Sequence, residues 1–255
     1  MERVRLYGFH AVREALRAGR RPLHRLLLRE GPRRPGAAEL ARLAADGGVP
    51  VTWEPEAELA RGIPHGAPTQ GFVLEAGPLP GVGLDELLEE GVSGSRLVVL
   101  LDAVEDPQNV GAILRAADAA GATGLVMANR RSPPLGPAVA RASAGALEWL
   151  PVTHVVNLPR SLRAAREQGF WLLGLDPEGE DLFTVPDRVW QGDLVLALGA
   201  EGRGLRPGVR KQLDHCLKIP MQGRVASLNV GAAAAVGLFE ARRRRGLSES
   251  ASKTR

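Results

Sequence analysis

LVVLLDAVEDPQNVGAILR, running from Leu97 to Arg115, joins an unbroken apolar run to a helical pattern across a short polar turn. An apolar run without polar alternation belongs to a strand covered on both faces. Asp106 is placed to cap the helix, and Pro107 takes the first turn, where a missing N–H costs nothing. The pattern repeats outward. Strands are expected at Leu125–Ala128, Leu150–His154, Phe170–Leu175, Leu194–Leu198 and Cys216–Ile219, and helices at Pro107–Ala120, Pro137–Ala146, Leu158–Gln168 and Leu228–Arg245. Strands alternating with helices predict an α/β domain built on a mainly parallel sheet.

Upstream, the chain reads as a smaller α/β unit. Helical patterns at Gly8–Ala18 and Ala37–Ala45 alternate with strand-like Leu-rich or Val-rich runs at His24–Arg29, Val49–Trp53 and Gly71–Glu75. A Gly- and Pro-punctuated stretch with the acidic centre DELLEE separates the two patterns, which sets an expected division into 1–76, a linker 77–95, a second domain 96–247 and a disordered polar tail 248–255.

Composition narrows the class. No apolar run approaches the roughly 20 residues that span a bilayer, and Met1–Arg5 leads into no signal-like segment, so a cytoplasmic protein without a membrane partner is expected. One cysteine, Cys216, leaves no disulfide and no multi-cysteine site, and no metal is expected. Of 33 Lys+Arg only Lys211, Lys218 and Lys253 are lysine. Guanidinium forks suit phosphates, although an Arg-rich genome would leave the same mark. An aromatic content of 4% argues against a broad base-stacking platform.

Three segments could carry chemistry. In the opening stretch, Asn109 and Arg115 project from a helix that starts at the carboxyl end of a strand, the edge where open α/β sheets bind ligands. A capped surface helix would read the same way. Leu198–Leu205, LGAEGRGL, is a Gly-rich turn directly after a buried strand; its order is not that of the dinucleotide fingerprint, and it lacks a P-loop lysine. The third joins Ile219-Pro220-Met221-Gln222-Gly223 to Ala226-Ser227-Leu228-Asn229-Val230, where Ser227 can cap a final helix rich in small residues.

Together these segments resemble the SpoU branch of the SPOUT methyltransferases. Asp106–Gly111 with Arg115 matches the first family motif, Gly199–Gly202 the second, and Ile219–Met221 with Ser227–Val230 the third. Tyr7–Val12 and Ala67–Gly71 resemble the ribosomal-protein-like RNA-binding domain of the rRNA guanosine methyltransferases in that family. Two positions depart: Thr69 stands where that subgroup commonly has His, and Gly231 where Ser is usual.

The resemblance implies a deep trefoil knot in the catalytic domain, with S-adenosylmethionine held near Gly199, Ile219, Met221 and Leu228. It implies a catalytic pocket of Asn109, Arg115, Glu201, Ser227 and Asn229, and a homodimer in which Arg115 acts close to the partner's elements. The implied reaction is 2'-O-methylation of an RNA ribose, most closely a guanosine of 23S rRNA. A tRNA ribose methyltransferase and a non-catalytic RNA-binding relative are the alternatives; a Rossmann dehydrogenase is disfavoured by the missing fingerprint. RNA contacts are expected from the N-terminal arginines, chiefly Arg13, Arg17, Arg20 and Arg21 and also Arg3, Arg5, Arg33 and Arg34. Removing the residues before about Arg96 is expected to cost RNA affinity and spare the fold.

Overall fold

The computed structural model describes residues 3–32, 34–89 and 95–252. Its elements run β1 (Val4–Tyr7), α1 (Phe9–Ala18), β2 (Leu23–Arg29), α2 (Ala37–Asp46), β3 (Val51–Glu54), α3 (Glu56–Ala60), β4 (Phe72–Ala76) and α4 (Leu84–Leu88). They continue with β5 (Leu97–Asp102), α5 (Pro107–Ala120), β6 (Gly124–Ala128), α6 (Pro137–Ala142), β7 (Val152–Val155), α7 (Leu158–Glu167) and β8 (Trp171–Asp181). Last come β9 (Leu194–Gly199), α8 (Pro207–Arg210), β10 (His215–Lys218) and α9 (Val230–Ser252). Two 3-10 turns cover Ala146–Glu148 and Asp187–Trp190.

Packing divides the described residues into two units: one holds those up to Pro80 together with Pro134–Trp149, the other Gly81–Pro133 and Leu150 onward. The larger unit contains a six-stranded sheet in the order β10-β8-β9-β5-β6-β7, and every neighbouring pair is parallel. The expected α/β class with a parallel sheet is therefore present. β5 and β6 are buried along their whole length, as unalternated apolar strands must be when both faces are covered. Asp106 caps α5 by accepting the Gln108 N–H at 2.9 Å, and Gly121 ends the helix in the left-handed region.

The smaller unit is a four-stranded sheet, β1-β4-β2-β3, antiparallel except for β2–β3. Tyr7, Leu27, Leu59 and Val73 form one of its apolar clusters. Thr69 is buried: its hydroxyl donates to Glu56 at 3.0 Å and accepts the Gly71 N–H at 3.2 Å.

The elements differ from expectation in several places. β1, α3 and α8 were not anticipated, and the expected linker carries α4, whose Leu87 and Leu88 join the core of the larger unit. Residues 90–94 of that linker and Arg33 lie outside the described residues. β8 continues past Leu175, where the expected strand ended, through Pro177 and Gly179. Its pairing with β10 shifts between Cys216 and Leu217, and a Cβ on Gly179 would lie 2.3 Å from the Cys216 carbonyl, so glycine is what lets the strands stay together there. The helix expected from Pro137 stops at Ala142, because Gly145 (φ 89°) turns the chain where a Cβ would strike Glu14 at 2.5 Å. Helix α9 is continuous to Ser252 where a disordered tail was expected, and residues 253–255 are not among those described.

Segment 134–149, expected within the catalytic domain, packs with the N-terminal unit. Glu148 is fully buried and takes a two-pronged ion pair from Arg21, at 2.9 Å from Nε and 2.8 Å from Nη2. Burial pushes the Glu148 carboxyl above its ordinary range, and the charge and hydrogen bonds of Arg21, with the charge of Arg20, pull it back only in part.

Candidate active site

In the larger unit, one cleft of about 880 Å³ opens at the carboxyl ends of β8, β9 and β10. Its wall includes Gly199, Glu201, Ile219, Met221, Ser227 and Leu228. Two separated loops thus meet, as the motifs require, in a hollow within the size range of small-molecule sites.

The loop after β9 is folded back on itself. Gly204 donates its N–H to the Ala200 carbonyl at 2.8 Å, and a Cβ on Gly199 would lie 2.1 Å from the Gly204 carbonyl carbon. Only a residue without a side chain permits that approach. Asp102, at the end of β5 and fully buried, pins the far end of the loop: it accepts the Arg206 backbone N–H at 2.8 Å and the Arg206 Nε at 2.5 Å. Across the cleft, Arg210 bridges Asp176 at 3.5 Å and Glu178 at 3.1 Å. Burial pushes the neighbouring Cys216 thiol up. Neither acidic anchor was singled out from the sequence; an Asp ending a buried strand was the available signal for Asp102.

Asn229 joins the three motifs. Its Nδ2 donates to Asn109 Oδ1 at 2.8 Å and to Glu201 Oε1 at 2.5 Å. Its Oδ1 accepts the Gly231 N–H at 2.9 Å, which fixes the orientation of the amide from the other side. Glu201 also accepts the Val230 N–H at 3.3 Å. Asn229 is therefore the cap of α9, which starts at Val230 rather than Leu228, and the capping role expected of Ser227 is not taken up. The Ser227 hydroxyl has no hydrogen-bond partner among the described residues. Gly231 suits its place, since a Cβ there would meet Ala112 at 3.0 Å.

Asn109 and Asn229 stand behind the cleft wall rather than on it, and Arg115 is not part of the wall at all. Arg115 is exposed on α5 and makes no hydrogen bond or ion pair with the described residues. Of the five catalytic candidates, Glu201 and Ser227 lie on the wall and Asn109 and Asn229 connect to it through hydrogen bonds, while Arg115, expected to act close to a partner's elements, lies apart from it within one chain.

The N-terminal arginines sort differently. Arg21 is buried and committed to Glu148, so it is corrected from an RNA contact to a structural ion pair. Arg20 donates to the Glu148 carbonyl at 3.2 Å. Arg13 and Arg17 flank Glu14 at 2.7 and 3.4 Å; burial raises that carboxyl, but hydrogen bonds from Arg13 and Trp149 and the two arginine charges outweigh it and hold it below its ordinary range.

Comparison with known proteins agrees with this geometry. Residues 96–239 match the model of the SpoU rRNA Methylase family. The chain belongs to that family. Residues 5–81 match a second model, RNA 2'-O ribose methyltransferase substrate binding. The chain is 39% identical over 244 residues to a 23S rRNA (guanosine-2'-O-)-methyltransferase RlmB of Pseudomonas putida, covering 94% of this chain and 96% of that one. The SpoU methyltransferase AviRb of Streptomyces viridochromogenes, crystallised with AdoMet, superposes with a TM-score of 0.76 at 28% identity, covering 95% of this chain and 90% of that one. An A. aeolicus TrmH/SpoU tRNA modifying enzyme matches less of the chain, 65% of this chain and 82% of its own length, with a TM-score of 0.54 at 27% identity. This SpoU protein is an RNA ribose 2'-O-methyltransferase with S-adenosylmethionine as its methyl donor. No helix among the described residues is long and apolar enough to cross a membrane.

Proposed function

We propose that the chain methylates the 2'-hydroxyl of a guanosine in 23S rRNA, working in the cytoplasm as a homodimer with a knotted catalytic domain. The cleft joined to Asn109 through Asn229 and Glu201 is the observation that carries the reading. The substrate assignment is supported by the RlmB relative, which matches nearly end to end, whereas the tRNA modifying enzyme matches a shorter share. The segment 1–76 is the RNA substrate-binding domain in this reading, with Arg13, Arg17 and Arg20 as its contacts.

The cleft fits the cofactor. Backbone groups near Gly199, Ile219 and Leu228, with the Met221 side chain, offer an apolar slot edged by peptide donors and acceptors. When bound there, S-adenosylmethionine supplies an electrophilic methyl group. The chain's own task is to orient a weak nucleophile and ease loss of its proton. Ser227, free of capping duty, presents a hydroxyl to the ribose. Glu201 and Asn229 hold the loop ends rigid. A guanidinium offers hydrogen-bond donors and no acceptor, so Arg115 serves as an orienter whose positive field favours the forming alkoxide rather than as a base.

Arg115 reaches a pocket only when two subunits assemble. Val225, Leu228 and Phe239 leave large apolar surface exposed on the loop before α9 and on α9 itself, as an unpaired interface would. Arg115→Ala should abolish methylation of a 23S rRNA transcript, measured by transfer of labelled methyl and by mapping the modified ribose, while calorimetric S-adenosylmethionine affinity stays within about twofold. Equal loss of both would remove Arg115 from its assigned role.

A further inference from the structure

Many arginines in the larger unit are tied down: Arg206 to Asp102, Arg210 to Asp176 and Glu178, Arg166 to Asp214, Arg243 and Arg244 to Glu240. Several others are exposed and have no side-chain partner among the described residues, and five of them share one edge, Arg224 in the loop after β10 and four more along the strands from β9 to β7. Arg203 follows β9, Arg130 and Arg131 follow β6, and Arg160 follows β7 in the first turn of α7. Because the sheet is wholly parallel, these loops all leave at its carboxyl edge, the edge of the cleft. With the order β9-β5-β6-β7 and strands about 4.8 Å apart, the row extends roughly 14 Å outward from the cleft loop.

Acids on the edge offset this row only in part. Asp102 is paired with Arg206, while Glu105, Asp106 and Glu201 keep their charge, since the Gln108 N–H and the Asn229 amide that bind the last two are neutral, and none of the three forms an ion pair with these four arginines. Two placements also cost free energy. Arg131 sits at φ 61°, a region an arginine avoids, and Arg160 lies at the end of α7 where the helix dipole opposes a cation. Stability alone favours neither.

We propose that this edge is a second RNA contact, a track of phosphate-binding arginines on the methyltransferase unit itself, which holds the strand on either side of the ribose presented to the cleft. The inference rests on the RNA-methylating reading above and adds to it a contact surface outside the N-terminal unit. Arginine suits the task because its fork takes phosphate oxygens in pairs whatever the base.

The test is RNA binding as a function of salt, using a 23S rRNA transcript and the full chain. The variant is Arg130→Ala with Arg131→Asn, since asparagine tolerates the left-handed backbone that alanine would strain. Each lost phosphate contact should lower the slope of log K against log salt by about 0.7 to 1, so the double variant should lose about 1.4 to 2, with RNA affinity down about tenfold at physiological salt. S-adenosylmethionine affinity and melting temperature should match the parent chain. Arg188→Ala is the control. Arg188 is equally exposed but lies in the 3-10 turn that precedes β9, on the amino side of the sheet.

An unchanged slope in the double variant overturns the proposal, and so does an equal change in Arg188→Ala, which would mean diffuse attraction. Loss of binding only to protein-containing ribosomal particles, with naked transcript unaffected, would also overturn it, because the edge would then contact protein. Failure of the parent chain to bind or methylate the transcript is a separate outcome that removes the underlying 23S reading.

Discussion

Glu201 is where the site depends most on a single side chain. One of its oxygens accepts both from Asn229 and from the start of α9, so its removal leaves an amide donor and a backbone N–H without partners. A lost hydrogen bond to a charged group is worth about 1.5 to 3 kcal/mol, or about 10- to 100-fold in rate where it positions the reacting groups. Glu201→Ala should therefore reduce kcat by that factor, and Glu201→Gln, which keeps an acceptor, should recover most of it. A simple packing role predicts no such rescue in steady-state kinetics. Ser227 shows the limit of reading residues singly: its hydroxyl looked suited to cap a helix, yet Asn229 does so and leaves Ser227 facing the cleft.

Among the elements, the loop from Gly199 to Arg206 decides whether the cleft exists. It is held by backbone at one end and by buried Asp102 at the other. Gly199→Ala would force a methyl group into the Gly204 backbone, which cannot swing aside as a side chain would, and overpacking of this kind costs about 1 to 3 kcal/mol. We expect at least a tenfold loss of S-adenosylmethionine affinity by calorimetry, with the far-ultraviolet dichroism of the sheet retained. Parent-like affinity would show that the loop can reopen without cost. The conflict between Pro177 and strand pairing in β8 is of the same scale: its polar composition hid a strand that β10 completes.

At the level of the whole molecule, the chain leaves the N-terminal unit and returns to it. Segment 134–149 supplies Glu148 to Arg21, both nearly without exposure. Breaking a buried pair by removing one partner strands the other charge, at a cost of about 3 to 5 kcal/mol. Arg21→Met should lower stability by that amount in chemical denaturation, and Arg21→Met with Glu148→Leu should regain much of it. The same reasoning corrects the expected effect of truncation. Excising the residues before Arg96 would leave Glu148 buried without its cation or exposed with its apolar neighbours, so the remainder should melt at a lower temperature as well as bind RNA less tightly. A truncated chain with the melting temperature of the catalytic unit in the full protein would refute this.

Local chemistry was enough for some of this protein. Apolar runs without alternation declared the buried strands, and Asp106-Pro107 and Gly121 bounded α5, because each depends on neighbours a few positions away; the residues that Asn229 gathers were named by the resemblance to the family's three motifs. What required tertiary structure depends on partners far along the chain. Arg21 reads as a surface cation until Glu148 is placed against it, the second half of β8 goes unread until β10 pairs with it, and Arg130, Arg131, Arg160 and Arg203 read as scattered charges until parallel strands bring their loops to one edge. Whether a charge is spent inside the fold or left for a ligand is a matter of distance in space, which linear spacing does not encode.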